Sequence, residues 1–144
     1  MMRLSTKGRY GTRLMMNLAQ HYGNTPEAVV LRNVSADEEI SIRYLEQIII
    51  PLKINRLVKS IRGAGGGYTL ARNPAEIKLS EILHALEGNC CLVECIEDEE
   101  FCNRMATCAS YEVFKRYAVE VVLQEFRSAL PDLVAGAGGH AVAK

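Results

Sequence analysis

Nowhere in this chain do about 18 apolar residues run without interruption, the minimum for a helix that spans a membrane, so no membrane segment is expected. A secretory signal is not expected either, since Arg3, Lys7, Arg9 and Arg13 break into the apolar pattern of the first residues. A cytoplasmic protein is expected, and that compartment keeps thiols reduced. The five cysteines are then not expected to form a disulfide framework. None of them shows the paired two-residue gap of a zinc ribbon or finger, which disfavours zinc. No serine, histidine and aspartate arrangement and no nucleotide-binding strand-to-helix turn supports catalysis, so an enzyme is not expected.

Net charge is also lacking: the formal total is zero. That total conceals an asymmetry. From Met1 to Lys78 twelve Lys and Arg face six Asp and Glu, whereas from Leu79 onward five cations face eleven acids. The front half is built to meet an anion and the back half is not. A length of 144 residues allows one compact domain and at most one further element.

What the chain does have is a glycine-rich run, Arg62, Gly63, Ala64, Gly65, Gly66, Gly67, Tyr68. It lies between the β-forming stretch Leu57 to Ile61 and a short strand at Tyr68 to Leu70. A hairpin tip nearly free of side chains and flanked by cations suits a loop pressed against something flat or anionic. Upstream, Tyr10, Leu14 and Leu18 recur at helical spacing and predict a first helix over Thr6 to Tyr22. Leu31 to Asp37 predicts a second helix, and Ser41 to Asn55 a third that starts on a good N-cap residue. Pro51 is expected to end or bend that third helix. Helix, turn, helix and basic hairpin together read as a winged helix-turn-helix, hence a DNA-binding domain. Arg43, Tyr44 and Gln47 lie in the first two turns of the third helix, where Arg can pair with guanine and Gln with adenine.

Ser80 to Glu87 predicts a fourth helix stopped by Gly88, with Ile82, Leu83 and Leu86 turned to the core. Tyr111 to Leu133 is the longest helical pattern, and its wide apolar face wants a partner helix, which favours a dimer. The expected organisation is a DNA-binding domain over 1–88, a cysteine-rich loop over 89–110, a dimerisation helix over 111–134 and a disordered tail over 135–144. The fold class is mainly α with a small β-wing. Every cysteine falls in the loop: Cys90, Cys91, Cys95, Cys102 and Cys108. Thiolates gathered there can converge on a soft metal or an iron–sulfur cluster. The acidic run Glu97 to Glu100 disfavours a nucleophilic cysteine, because negative charge raises a thiol pKa.

The segment RYLEQIIIPLKINRLVKSIRGAGGGYTLAR, the opening MRLSTKGRYG and the triad Cys95, Cys102 and Cys108 resemble the IscR-type winged-helix regulators, whose members include NsrR and CymR. The resemblance covers about Met2 to Pro131. It implies a homodimeric transcription factor on an operator of double-stranded DNA, controlling iron–sulfur biogenesis or related genes, with iron–sulfur assembly proteins as further partners. It further implies DNA contacts from Ser41, Arg43, Tyr44 and Gln47, a minor-groove contact from Arg62, a wing tip at Gly65, Gly66 and Gly67, and an operator-selecting role for Glu46. Phosphate contacts are expected from Lys7, Arg9 and Lys59. The implied cofactor is an iron–sulfur cluster of the [2Fe–2S] type on Cys95, Cys102 and Cys108. Where the cluster regulator has a histidine as fourth ligand this chain has Tyr111, so Cys90, Cys91, His84, Tyr111 and Glu94 stand as alternatives. The rival reading is a regulator of the same fold that senses thiol redox state or sulfur metabolism without a cluster.

Overall fold

The computed structural model describes residues 4–23, 27–88 and 102–115, together with Glu100, Pro131 and Ala135. Helix α1 (Thr6–Gln20) starts on Ser5, whose hydroxyl accepts from the Gly8 N–H. Its Leu14, Met15 and Leu18 are buried at one-turn spacing. Helix α2 (Leu31–Glu38) contributes Leu31 and Val34 and ends on Glu39, which takes the left-handed conformation with φ 54°. That residue turns the chain so that Ile40 enters the core and Ser41 can cap α3 (Ile42–Ile54) by accepting from the Tyr44 N–H.

Helix α3 buries Leu45, Ile48, Ile49 and Leu52. It does not end at Pro51 but runs one turn further. The donor that proline lacks would have served the carbonyl of Gln47, a solvent-exposed residue whose carbonyl water can satisfy. Asn55 closes the helix, with its backbone N–H and side-chain amide both donating to the Pro51 carbonyl.

Strands β1 (Val58–Ile61) and β2 (Gly67–Leu70) form an antiparallel hairpin in the register Val58 to Leu70, Lys59 to Thr69, Ser60 to Tyr68 and Ile61 to Gly67. A third segment joins it, because Val29 exchanges both backbone hydrogen bonds with Tyr68, each 2.8 Å. The chain then makes a 3-10 turn at Pro74–Glu76 and enters α4 (Leu79–Glu87), which Gly88 terminates with φ 81°. Helix α4 buries Ile82, Leu83 and Leu86, and Leu86 meets α1 where a Cβ on Gly11 would collide with its Cδ1. The absence of a side chain at Gly11 is what lets the two helices close.

These elements are the mainly helical winged domain with a small β-wing that the sequence predicts. Residues 109–115 are helical, and so are Pro131 and Ala135. The rest of the predicted dimer helix and of the tail lies outside the described residues. Among the described residues, no helix is long and apolar enough to cross a membrane.

Candidate functional site

Two places carry the predicted site residues. One is the outer face of α3 with the wing. Arg43, Glu46 and Gln47 are all exposed on α3, and Ser41 is exposed at its start while serving as the cap. Tyr44 departs from the open polar face expected of it: its ring is half-buried and packs edge-on against Tyr10 of α1, with centroids 5.7 Å apart and planes at 89°. An aromatic ring with a polar tip can lie on the core and still present its hydroxyl, which its residue type alone does not decide.

The Tyr10 ring gathers cations that spacing alone does not single out. Arg9 lies 6.0 Å and Arg13 5.6 Å from its centroid. Arg9 is exposed, so α1 delivers it beside the first turn of α3 through the edge-on pair of tyrosines. Arg13 instead ties α1 to the end of α2, donating to the Glu38 carboxylate at 3.0 Å and to the Glu38 carbonyl. Asn17, buried on the same helix, donates to Asp37 and Glu38 at 3.4 and 3.3 Å. A basic residue four before a buried asparagine on the α1 face is the sequence signal for that joint. Lys7 is half-buried on α1.

On the wing, Lys59 and Arg62 are exposed. The three glycines predicted at the tip have different surroundings. Gly65 is exposed with open space around its Cα, whereas a Cβ on Gly66 would stand 2.6 Å from the Ile61 carbonyl oxygen. Gly67 is not at the tip at all but opens β2, where a Cβ would stand 2.6 Å from the carbonyl oxygen of Val29. It is glycine because the Val29 segment approaches there. Lys53 lies over the Tyr68 ring at 5.9 Å and joins the end of α3 to the base of the wing.

The second place is the cysteine segment. Cys102 and Cys108 are free, half-buried thiols on either side of a 3-10 turn at Met105–Thr107. Both line a groove of about 730 Å³ that Tyr111 and Glu112 also line. Tyr111 follows Cys108 by one helical step, its N–H donating to the Cys108 carbonyl at 3.1 Å, and Lys115 lies 5.4 Å from its ring centroid. The two half-buried thiols are soft sulfur donors of the kind that hold iron–sulfur centres, whereas the Tyr111 phenol on the same groove is a hard oxygen donor. His84 stands apart, lining a cavity of about 380 Å³ with Asn55, Leu57, Ser80 and Glu81. Cys90, Cys91, Glu94 and Cys95 lie outside the described residues. Among the described residues, no three His, Cys, Asp or Glu side chains come together as a metal site.

Comparison with known proteins shows what the chain is similar to. The family model Rrf2, described as "Iron-dependent Transcriptional regulator", matches residues 4–135. The HTH-type transcriptional regulator CymR of Bacillus subtilis is 46% identical over 99 residues, which span 69% of this chain and 70% of that protein. Among solved structures, CymR (YrzC), the global cysteine regulator of B. subtilis, superposes with a TM-score of 0.70 at 39% identity over 94% of this chain and 98% of that one. IscR of T. potens superposes with a TM-score of 0.73 at 31% identity, covering 99% and 93% of the respective chains.

Proposed function

The chain belongs to the Rrf2 family of transcriptional regulators, and from that premise we propose that it is a homodimer that reads operator DNA with α3 and the wing and adjusts the reading through its cysteines. It is a regulator, not an enzyme. The observation that carries the proposal is the exposed line of Arg43 and Gln47 on α3 with Arg62 on the wing, while the opposite side of α3 is wholly buried.

Arg43 and Gln47 are given base contacts in the major groove, and Arg62 a contact in the minor groove. Ser41 and Tyr44 are given DNA contacts from the first turn of α3, with Gly65 and Gly66 letting the wing tip come close to DNA and Gly67 letting the Val29 segment brace it. Lys7, Arg9 and Lys59 are assigned phosphate contacts, which set affinity and register without reading sequence. The chain is divided into a DNA-binding domain over 1–88, a sensing segment over 89–110 and a dimerisation helix over 111–134. Val113 and Phe114, exposed at the start of that helix, support a second copy covering it.

Cys95, Cys102 and Cys108 are proposed to hold an iron–sulfur cluster of the [2Fe–2S] type, and the shared groove favours Tyr111 over His84 for the fourth position. When bound, such a cluster supplies a thiolate-held crosslink whose presence follows iron and sulfur supply. The cysteine segment leads straight into the dimer helix, so a cluster held there biases how the two winged domains are presented to DNA. Tenfold discrimination between operators needs only about 1.4 kcal/mol of differential affinity. The proposed targets are genes of iron–sulfur biogenesis or related functions, and the proposed location is the cytoplasm.

Similarity to CymR, whose structure is titled that of a global cysteine regulator, favours a second reading in which Cys102 and Cys108 report thiol state or sulfur supply without iron. The absorption spectrum of protein purified without oxygen, before and after Cys102→Ala, separates the two. Visible charge-transfer bands that disappear in the variant support the cluster. A featureless spectrum after attempted reconstitution refutes it and leaves the thiol reading.

A further inference from the structure

Ile50 and Ile54 are 56% and 75% exposed, although α3 buries Leu45, Ile48, Ile49 and Leu52 with ease. At 3.6 residues per turn, Arg43, Ile50 and Ile54 fall within about 40° of one another around α3, opposite the buried line. Two bulky aliphatic side chains thus continue the outermost line of α3 that Arg43 begins. Cations border it: Lys53 and Arg56 are exposed on the last turn and just beyond. An apolar line bordered by positive charge suits a surface that is anionic outside and presents methyl groups within. The major groove of DNA has that chemistry, because each thymine places its 5-methyl group there.

We infer that Ile50 contacts thymine methyl groups in the major groove and imposes a thymine preference on the operator about three base pairs from the base read by Arg43. The spacing follows from seven residues of helix, roughly 10 Å along the axis, set against roughly 3.4 Å per base pair. This inference rests on the reading of α3 as the DNA-reading helix. Ile54 extends the same line one turn further.

The test uses the full-length protein. It first selects binding sequences from randomised duplexes, and each thymine of the selected duplex is then replaced in turn by deoxyuridine, which removes only the methyl group. Affinities are measured for the parent, Ile50→Ser and Ile50→Val. At one or two thymines the replacement should weaken the parent about fourfold, the worth of one buried methyl group. Ile50→Val should keep that sensitivity and Ile50→Ser should lose it while binding the deoxyuridine duplex as well as the parent does. Insensitivity of the parent at every thymine overturns the inference and would assign the isoleucines to a protein partner, and a methyl sensitivity that survives in Ile50→Ser overturns it too, assigning the methyl contact to another residue. A selection that enriches no sequence refutes the DNA-reading premise instead.

Discussion

Gly67→Ala should destabilise the winged domain far more than Gly65→Ala, although both change a wing glycine. At Gly67 the new Cβ would lie 2.6 Å from the Val29 carbonyl oxygen and 2.7 Å from its carbon, both backbone atoms that no rotamer change can move aside. Ordinary contact requires roughly 0.8 Å more. A shift of that size would stretch the two 2.8 Å bonds between Val29 and Tyr68 to about 3.6 Å, where they cease to be hydrogen bonds. Their loss costs about 1–3 kcal/mol. Holding alanine at φ 156° costs about 1–3 kcal/mol more, and the restricted unfolded chain returns about 0.4–1 kcal/mol. The expected net loss is about 1–5.6 kcal/mol. Val29 is 5% exposed, so it has no free direction in which to retreat. Gly65 has nothing within 4 Å of such a Cβ, and its alanine variant should stay within about 0.5 kcal/mol of the parent. Urea unfolding at one fixed protein concentration, followed by far-ultraviolet circular dichroism, measures both. A Gly67→Ala protein as stable as the parent refutes the account of the Val29 approach.

Gly11→Ala gains about 1 kcal/mol of helix propensity but overfills the joint with Leu86 and Ile48 at a cost of about 1–3 kcal/mol, so the same unfolding assay should show a net loss of up to about 2 kcal/mol. Burial of the Glu81 carboxylate opposes its ionisation, yet the Lys78 N–H and the Arg72 guanidinium outweigh that and hold its pKa below the ordinary carboxylate value. A group depressed in this way contributes stability above its unfolded pKa and loses it as pH falls through the folded one. Stability measured downward from pH 7 should therefore decline through the acid range, and less steeply in Glu81→Gln. Arg62→Ala should cost about 1–3 kcal/mol at a selected operator and less on random duplex. Equal losses on both in a binding titration would remove Arg62 from sequence reading.

Much of the winged domain is legible in the sequence because its signals are local. Ser41 caps the helix it is expected to cap, Gly88 stops α4, and the glycine run between two β-forming stretches becomes a hairpin with the expected ends to within one residue. What is not legible depends on partners distant in the chain. The reason for Gly67 lies at Val29, paired through a single bridge that leaves no periodic pattern. Tyr44 sits at the edge of the α3 polar face, and only the position of Tyr10 decides that its ring packs. Pro51 carries a strong stop signal, but the group it deprives is on the wet side of the helix. The cysteines are legible as a cluster and not as a ligand set, because ligand convergence depends on how a loop without hydrophobic period folds around them.

Ser5 donates through both its backbone N–H and its hydroxyl to the Glu87 carboxylate, so the start of α1 is fastened to the end of α4 across 82 residues. The joint at Gly11 and Leu86 lies just inside that fastening. During synthesis α1 emerges before α4, its closing partner, and loop closure over the whole domain must precede the reward for packing the two together. A nascent chain that ends before Leu79 lacks the face on which α1 rests. Folding of the winged domain is therefore expected to be late and cooperative, completed only when the residues just ahead of the cysteine segment have appeared.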